Sequence, residues 1–393
     1  MKHKTTRMCE FLWPLYFMGF ALLRPVVKHY EEHSTLILVG FASLISVIFF
    51  FNYLWTRQFK WGSVINFILI VTSLFSVDML LRGNSFSNRY FYEFLYGPLV
   101  SVFLLSQVRD TKHLLFVYSF FSLLLFVLFC ADPFRGYAVF GDYMGWGFSV
   151  ATPAFMGLYL GARFLKMRWM FIFAGVCFFE TLVYANRGAF LSIVFFLLLM
   201  ELFLNVWNFN KMIKYLIFSV FVLFLAGNIE SIFLSGYDFV KNLGYKSYAL
   251  EKFFDFLFGQ GDSRFMSDRD VIWRAAIEMI DEKLFWGHGM GAFQERFDAY
   301  SHNIFLDFAI FYGVVGALIF LLIIFFALIK ALAFKEANKL LAFLFLCLWF
   351  PKLFFSLVFV ADTAFWCFLS FGFMAKNLLL YRKKLPSNQG AQV

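Results

Sequence analysis

FIFAGVCFFETLVYANRGAFLSIVFFLLLM, residues 171–200, decides the class of this chain. Two long apolar runs flank one short gap, ANRGAF from Ala185 to Phe190, and the gap carries an arginine. Runs of this kind recur along the chain. They are long and continuous, unlike the ten-residue alternation of a membrane barrel, so the expected elements are helices. The composition agrees. Of 393 residues, 62% are hydrophobic and 15% are charged, whereas a soluble domain carries about 25% charged residues. That excludes a soluble globular protein and leaves an integral membrane protein of many spans.

Twelve apolar segments are expected, over roughly 10–24, 35–54, 62–81, 90–106, 113–130, 143–162, 168–185, 188–205, 212–229, 304–329, 339–355 and 358–380. Pro14 and Pro351 mark the two where a kink or an end is expected. An even number puts both termini on one side. With the termini inside, nineteen Lys and Arg fall on the inner face and seven in the short outer loops. The positive-inside rule then predicts cytoplasmic ends. The net charge of +9 follows from this asymmetry and is no sign of nucleic-acid binding. No small-residue cleavage site follows the basic start, MKHKTTR, and its first apolar run, so no cleaved signal peptide is expected. The five cysteines, Cys9, Cys130, Cys177, Cys347 and Cys367, show no zinc or disulfide spacing.

The expected organisation is a membrane domain over 1–229, an outer loop over 230–303, further membrane helices over 304–380 and a tail over 381–393. The loop holds eight Lys and Arg against twelve Asp and Glu. Structureless loops beyond about fifteen residues are rare and usually functional. Within this one, SDRDVIWRAAIEMIDEK (Ser267 to Lys283) places Ile272, Ala275, Ala276, Met279 and Ile280 at helical spacing. Ser267 followed by Asp270 fits a capping box. WGHGMGAF, Trp286 to Phe293, then supplies a glycine-rich turn before the chain returns to the membrane.

The polar residues that stand out fall at the outer face, apart from Asp307 and Asp362, which lie within apolar runs. Arg187 sits in a gap too short for a free loop, and its planar fork suits a phosphate. A plain turn with a snorkelling arginine is the alternative. Arg269 stands near the loop helix start, one turn from Trp273. Arg274 lies between Asp270 and Glu278 at i,i+4 spacing, which equally describes a solvated ion-paired ridge. His302 sits where the loop re-enters the membrane, with Asn303 beside it, and histidine exchanges a proton near neutral pH. Asp307 is an ionisable residue inside an apolar run, which marks a site or a buried pair. Asp362 is another, with an arginine partner or a polar lining as its two readings. No phosphate-binding loop, dinucleotide fingerprint or zinc-protease pattern is present. Together these residues describe a site for a lipid-linked phosphate donor. Arginines would neutralise the leaving group and His302 would accept a proton from an incoming hydroxyl.

Three pieces, in this order, resemble the bacterial superfamily of O-antigen ligases and O-antigen or capsule polymerases. ANRGAFLSIVFF is similar to their "SRGA" segment. RDVIWRAAIEMIDEKLFWGHGMGAF is similar to their pattern of Arg, Trp and "PlxGxGxGxF". SHNIFLDFAIFYGVVG is similar to their "HNxxLxxxxxxGxxG". This chain departs in having Asn186 for a common serine, Lys283-Leu284-Phe285-Trp286 for a proline and leucine, and His288 within the glycine triplet.

The resemblance implies an all-α, GT-C-like polytopic fold of about twelve transmembrane helices with one large periplasmic loop. It implies an inverting, metal-independent glycosyltransferase of the bacterial inner membrane, with no cofactor. The donor would be an undecaprenyl-pyrophosphate-linked oligosaccharide. The acceptor would be a lipid-linked repeat unit for a polymerase, or lipid A–core for a ligase, and a chain-length regulator is an implied partner. The family's first arginine falls on Arg187, its loop arginine on Arg269 and its histidine on His302. Arg274 is a less direct match, beside Trp273; Asn303, Asp307 and Trp273 would support. The SHNIFLDFAIFYG form favours the polymerase over the ligase. A transporter or flippase for a polyprenol-linked sugar is the reading from another class; its site would lie near the bilayer midplane on broken helices.

Overall fold

The computed structural model describes residues 7–56, 63–184, 187–204, 242, 269–334, 336–355, 358–370 and 373. Their regular structure is all-α, and no strand occurs among the described residues. Among the described residues six helices are long and apolar enough to cross a membrane: Met8–His29, Glu31–Tyr53, Ile65–Arg82, Thr111–Arg135, Ile304–Ala333 and Ala337–Phe354. The chain is therefore a multi-pass membrane protein.

Six corrects the expected number of about twelve, and with it the GT-C-like arrangement. The segment 90–106 is not one helix. Helix α5 (Ser85–Phe94) widens into a π-helical turn, Leu95–Leu99, before α6 (Val100–Ser106). Pro98 lies inside that turn; it has no N–H for a regular ladder, and the wider turn absorbs the gap. The segment 143–162 divides the same way, into α8 (Tyr143–Trp146), a π-helical turn Gly147–Ala151 and α9 (Thr152–Phe164), with Pro153 just after the turn. The next two segments form shorter apolar helices, Met170–Tyr184 and Gly188–Phe203. The expected span over 212–229, residues 374–380 of the last one, the tail, Asn186 and the proposed cap Ser267 lie outside the described residues.

The chain divides into two compact units, one of residues 1–118 and 276–393, the other of 119–275. In the first, α1 (Met8–Leu22) packs on α3 (Ser34–Thr56) and α6, while α2 (Arg24–His29) continues α1 through Pro25. Trp13 is fully buried and its indole N–H donates to Ser101 Oγ at 3.0 Å. Buried Glu10 accepts the Arg109 and Asp110 backbone N–H groups at 2.9 and 3.0 Å, which ties α1 to the entry of α7 (Thr111–Phe129); Asp110 itself caps that helix, its Oδ1 accepting the Lys112 and His113 N–H groups at 3.1 Å. Trp366 anchors a second aromatic cluster with Phe75 and Phe94, and its indole N–H is satisfied by the carbonyls of Phe359 and Val360. Among the described residues Asp362 pairs with a lysine and not with an arginine. Its carboxylate takes the Lys352 ammonium at 2.8 Å and the Phe365 N–H at 2.8 Å, capping the last described helix, 363–370.

In the second unit α9 is buried along almost its whole length against α10 (Met170–Tyr184) and α11 (Arg187–Leu204). Small residues permit this close approach. A Cβ added at Gly161 would lie 2.4 Å from Met170 Sδ. Arg163 of α9 is held by Glu201 of α11 and by Tyr159.

Candidate functional site

The span Ile304–Ala333, here α14, is not straight. Gly313 has φ 70° and ψ −179°, a backbone region open essentially to glycine. Phe308 stacks on Phe320 at 4.4 Å between ring centroids, and Tyr312 on Phe320 at 5.5 Å. Twelve residues along a continuous helix would stand about 18 Å apart. The first arm, 304–312, therefore folds back beside the second, 314–333. The second arm alone is about 30 Å long at 1.5 Å per residue, enough to span a bilayer.

Breaking a helix inside a membrane protein frees backbone groups that must find partners. The glycine-rich turn provides them. His288 N–H donates to the Ile310 carbonyl at 2.7 Å, Gly289 N–H to the Phe311 carbonyl at 3.0 Å, and Val314 N–H to the Leu284 carbonyl at 2.8 Å. The fit is tight enough to demand glycine on both sides. A Cβ on Gly313 would lie 2.2 Å from the Phe285 oxygen, and one on Gly287 would lie 2.5 Å from the Gly313 nitrogen. This is the physical role of WGHGMGAF: it fills the break in YSHNIFLDFAIFYG.

The end of α4 (Ser63–Arg82) clamps the same loop. Arg82 Nη1 donates to the Trp286 carbonyl at 2.8 Å and lies 3.4 Å from the carbonyls of Gly287 and Phe311. Asp78 accepts the Met290 N–H at 2.8 Å, and the Asn84 amide donates to the Met290 carbonyl at 3.2 Å. Asn84 also caps α5 in a reciprocal pair with Ser87. Arg82, Asp78 and Asn84 were missed in the sequence. Their partners lie about two hundred positions away, and no local spacing announces them.

At the head of the folded-back arm stands Ser301-His302-Asn303. His302 has φ 55°, uncommon for any residue with a side chain. Its neighbours are locked. Asn303 Oδ1 accepts the Phe305 N–H at 2.9 Å as the helix cap. Ser301 is fully buried; its hydroxyl meets Asp307 Oδ1 at 2.7 Å and the Asn303 carbonyl at 3.0 Å, and Asn303 N–H donates back to it at 3.2 Å. Asp307 is fully buried, and its Oδ2 has no hydrogen-bond partner among the described residues. Tyr300 lies edge-on to the His302 ring at 5.2 Å. Arg89 of α5, whose Nε donates to Glu93 at 2.9 Å, keeps most of its side chain in solvent. It is a second cation that the sequence did not single out.

The structure thus gathers His302, Asn303 and Asp307 in the first unit, with Ser301 added. The other expected site residues belong to the second unit. Arg187 is the first residue of α11. The expected loop helix is α12 (Arg269–Glu282), close to the expected 267–283. Arg269 begins it, half-buried; Arg274 is exposed and makes no ion pair with Asp270 or Glu278 among the described residues, contrary to the expected ridge. Trp273 is half-buried, with its indole N–H buried and unpartnered among the described residues. His288, flanked by glycines, is committed elsewhere: its Nε2 meets the Met279 carbonyl of α12 at 2.7 Å.

α12 ends in an exposed pair. Arg296, on the short helix α13 (Ala292–Phe297), makes two hydrogen bonds to Glu282 at 2.8 and 2.7 Å. These bonds hold the Glu282 carboxyl below the ordinary carboxylate range. Among the described residues no three His, Cys, Asp or Glu side chains cluster as metal ligands would. No family model, no curated protein and no solved structure matches the chain.

Proposed function

We propose that the chain is a glycosyltransferase of the O-antigen polymerase and ligase superfamily, acting as a repeat-unit polymerase. The observation that carries this reading is the docking of two of its resembling motifs on each other. The glycine motif, Gly287 to Gly291, fills the break at Gly313, and that folded-back arm carries the Ser301-His302-Asn303 turn at its head. A broken helix also suits a transporter, but here the chain's own loop takes the freed backbone groups.

In this reading the acceptor sugar hydroxyl attacks the anomeric carbon of an undecaprenyl-pyrophosphate-linked glycan. The new glycosidic C–O bond forms as the bond to the pyrophosphate oxygen breaks, with inversion. His302 takes the hydroxyl proton. Neutralising the departing pyrophosphate is the role that the resemblance gives to Arg187, Arg269 and Arg274. The protein would lie in a bacterial inner membrane with cytoplasmic termini, the acceptor being the next lipid-linked repeat unit.

The test is a deletion in the native host, complemented with wild type or His302→Ala, with the surface glycan separated by size on a silver-stained gel. The expected result is lipid A–core carrying a single repeat unit in the deletion and in His302→Ala. Bare core, with long glycan held on undecaprenyl pyrophosphate, would replace the polymerase reading by the ligase one. An unchanged ladder in the deletion would refute both.

A further inference from the structure

We infer that Ser301 and Asp307 are positioning residues for His302, fixing the turn from which its ring projects by a buried hydrogen-bonded cradle at the head of the folded-back arm. The inference rests on the transferase reading, in which His302 accepts the acceptor's proton.

Three observations converge. First, His302 is in the left-handed region at φ 55°. That conformation is uncommon outside glycine, and histidine is one of the few residues that tolerate it when the turn around it is held. Second, both chain neighbours of His302 are tied into one buried network. Ser301 Oγ accepts the Asn303 N–H at 3.2 Å and sits 2.7 Å from Asp307 Oδ1 and 3.0 Å from the Asn303 carbonyl. The hydroxyl has one proton and two acceptors within reach, the Asp307 carboxyl and the Asn303 carbonyl, so it links the arm to the turn whichever one takes it. Third, Ser301 and Asp307 are both fully buried, and Asp307 keeps one oxygen without a partner among the described residues. A carboxyl group in that position is costly. As a cap for the start of the helix it has no task, because Asn303 already caps the arm through the Phe305 and Leu306 N–H groups. Its direct bond is to the residue immediately before His302. The cradle therefore sets the backbone from which the imidazole projects. A displacement of about 1 Å at a reacting group costs up to a hundredfold in rate.

The experiment uses the full chain, purified in detergent, as Ser301→Ala, Asp307→Ala, Asp307→Asn, His302→Ala and the double variant Asp307→Ala/His302→Ala. Turnover is read on a lipid-linked repeat unit. Independently of turnover, carbethoxylation of His302 by diethyl pyrocarbonate is timed by peptide mass spectrometry. Folding is checked by gel filtration. Ser301→Ala and Asp307→Ala should each lower kcat by roughly ten- to a hundredfold, with donor KM moving less than about threefold. Asp307→Asn retains an oxygen for the Ser301 hydroxyl and should recover most of the loss. The double variant should be no slower than His302→Ala alone, since both changes act through one group. The rate of His302 modification should change in both alanine variants.

If His302→Ala turns over at the wild-type rate, the transferase role of His302 fails, and the modification rate still decides whether the cradle fixes the turn. If folded Ser301→Ala and Asp307→Ala both leave the modification rate and kcat at wild-type values, the positioning role is overturned. Should Asp307→Ala fail to fold, Ser301→Ala carries the same test.

Discussion

Replacing Gly313 with alanine should undo the fold of the α14 break more than any other single methyl. The residue sits at φ 70° and ψ −179°, where a side-chain-bearing residue costs about 1–3 kcal/mol. The new Cβ would lie 2.2 Å from the Phe285 oxygen and 2.7 Å from the Trp286 nitrogen, roughly 1 Å inside ordinary contact. The loop must retreat, and the atoms it carries away are those bonded across the break: the Leu284 carbonyl and the His288 and Gly289 N–H groups. Losing one such bond orphans a buried backbone group at about 1–3 kcal/mol. The sum is about 2–6 kcal/mol, a large share of the roughly 5–15 kcal/mol that holds a typical domain folded. The assay is detergent-extracted yield with a thermal midpoint, plus hydrogen exchange at His288, Gly289 and Val314. Gly40→Ala is the control. Gly40 lies in α3 with nothing within 4 Å of the added Cβ, so it should be neutral or stabilise by up to about 1 kcal/mol. If Gly313→Ala matched wild type in yield, midpoint and protection of those three amides, the account of the break would be wrong.

Other perturbations test other parts. Lys352→Met leaves the buried Asp362 carboxylate without its cation and should cost about 3 kcal/mol in thermal stability; adding Asp362→Asn should recover part of it, and a double variant no more stable than Lys352→Met would contradict the pairing. Arg269→Lys keeps a charge but loses the planar fork, so glycan transfer should fall at least tenfold if that arginine clamps a phosphate; full transfer would remove it from the site. Glu282 has a folded pKa below its unfolded one, through the Arg296 hydrogen bonds. Its contribution is thus full above the unfolded value of about 4.3 and is lost as pH falls through the lower folded value. Glu282→Gln should flatten stability against pH below about 4.3, slightly, because the pair is exposed. Acid-unfolding curves that superimpose would show that the pair contributes nothing.

The loop helix was legible because its signal is local. Ile272, Ala275, Ala276, Met279 and Ile280 recur at one helical period, and the structure forms Arg269–Glu282 there and buries Ala276 and Met279. His302 and Asn303 were legible as a pair at the point of membrane entry, and both stand in the turn that heads α14. The number of spans was misread because an apolar run does not reveal its own interruptions. Pro98 and the chain before Pro153 sit in π-helical turns, and neither changes the hydropathy of the run around it. Gly313 lies inside an unbroken apolar stretch, yet the helix folds back there.

The sequence by itself determined that this is a helical, multi-pass membrane chain with a polar, histidine-bearing turn beside a glycine-rich one. Hydrophobic run length, charge content and helical period are one-dimensional quantities, readable without a structure. Only the tertiary structure decided what those turns are for. The carbonyls freed at Gly313 find their donors at His288 and Gly289, some twenty residues earlier in the chain, and Arg82 reaches Trp286 from 204 positions away. Every buried backbone group must be satisfied, but which distant group satisfies it depends on how the helices pack.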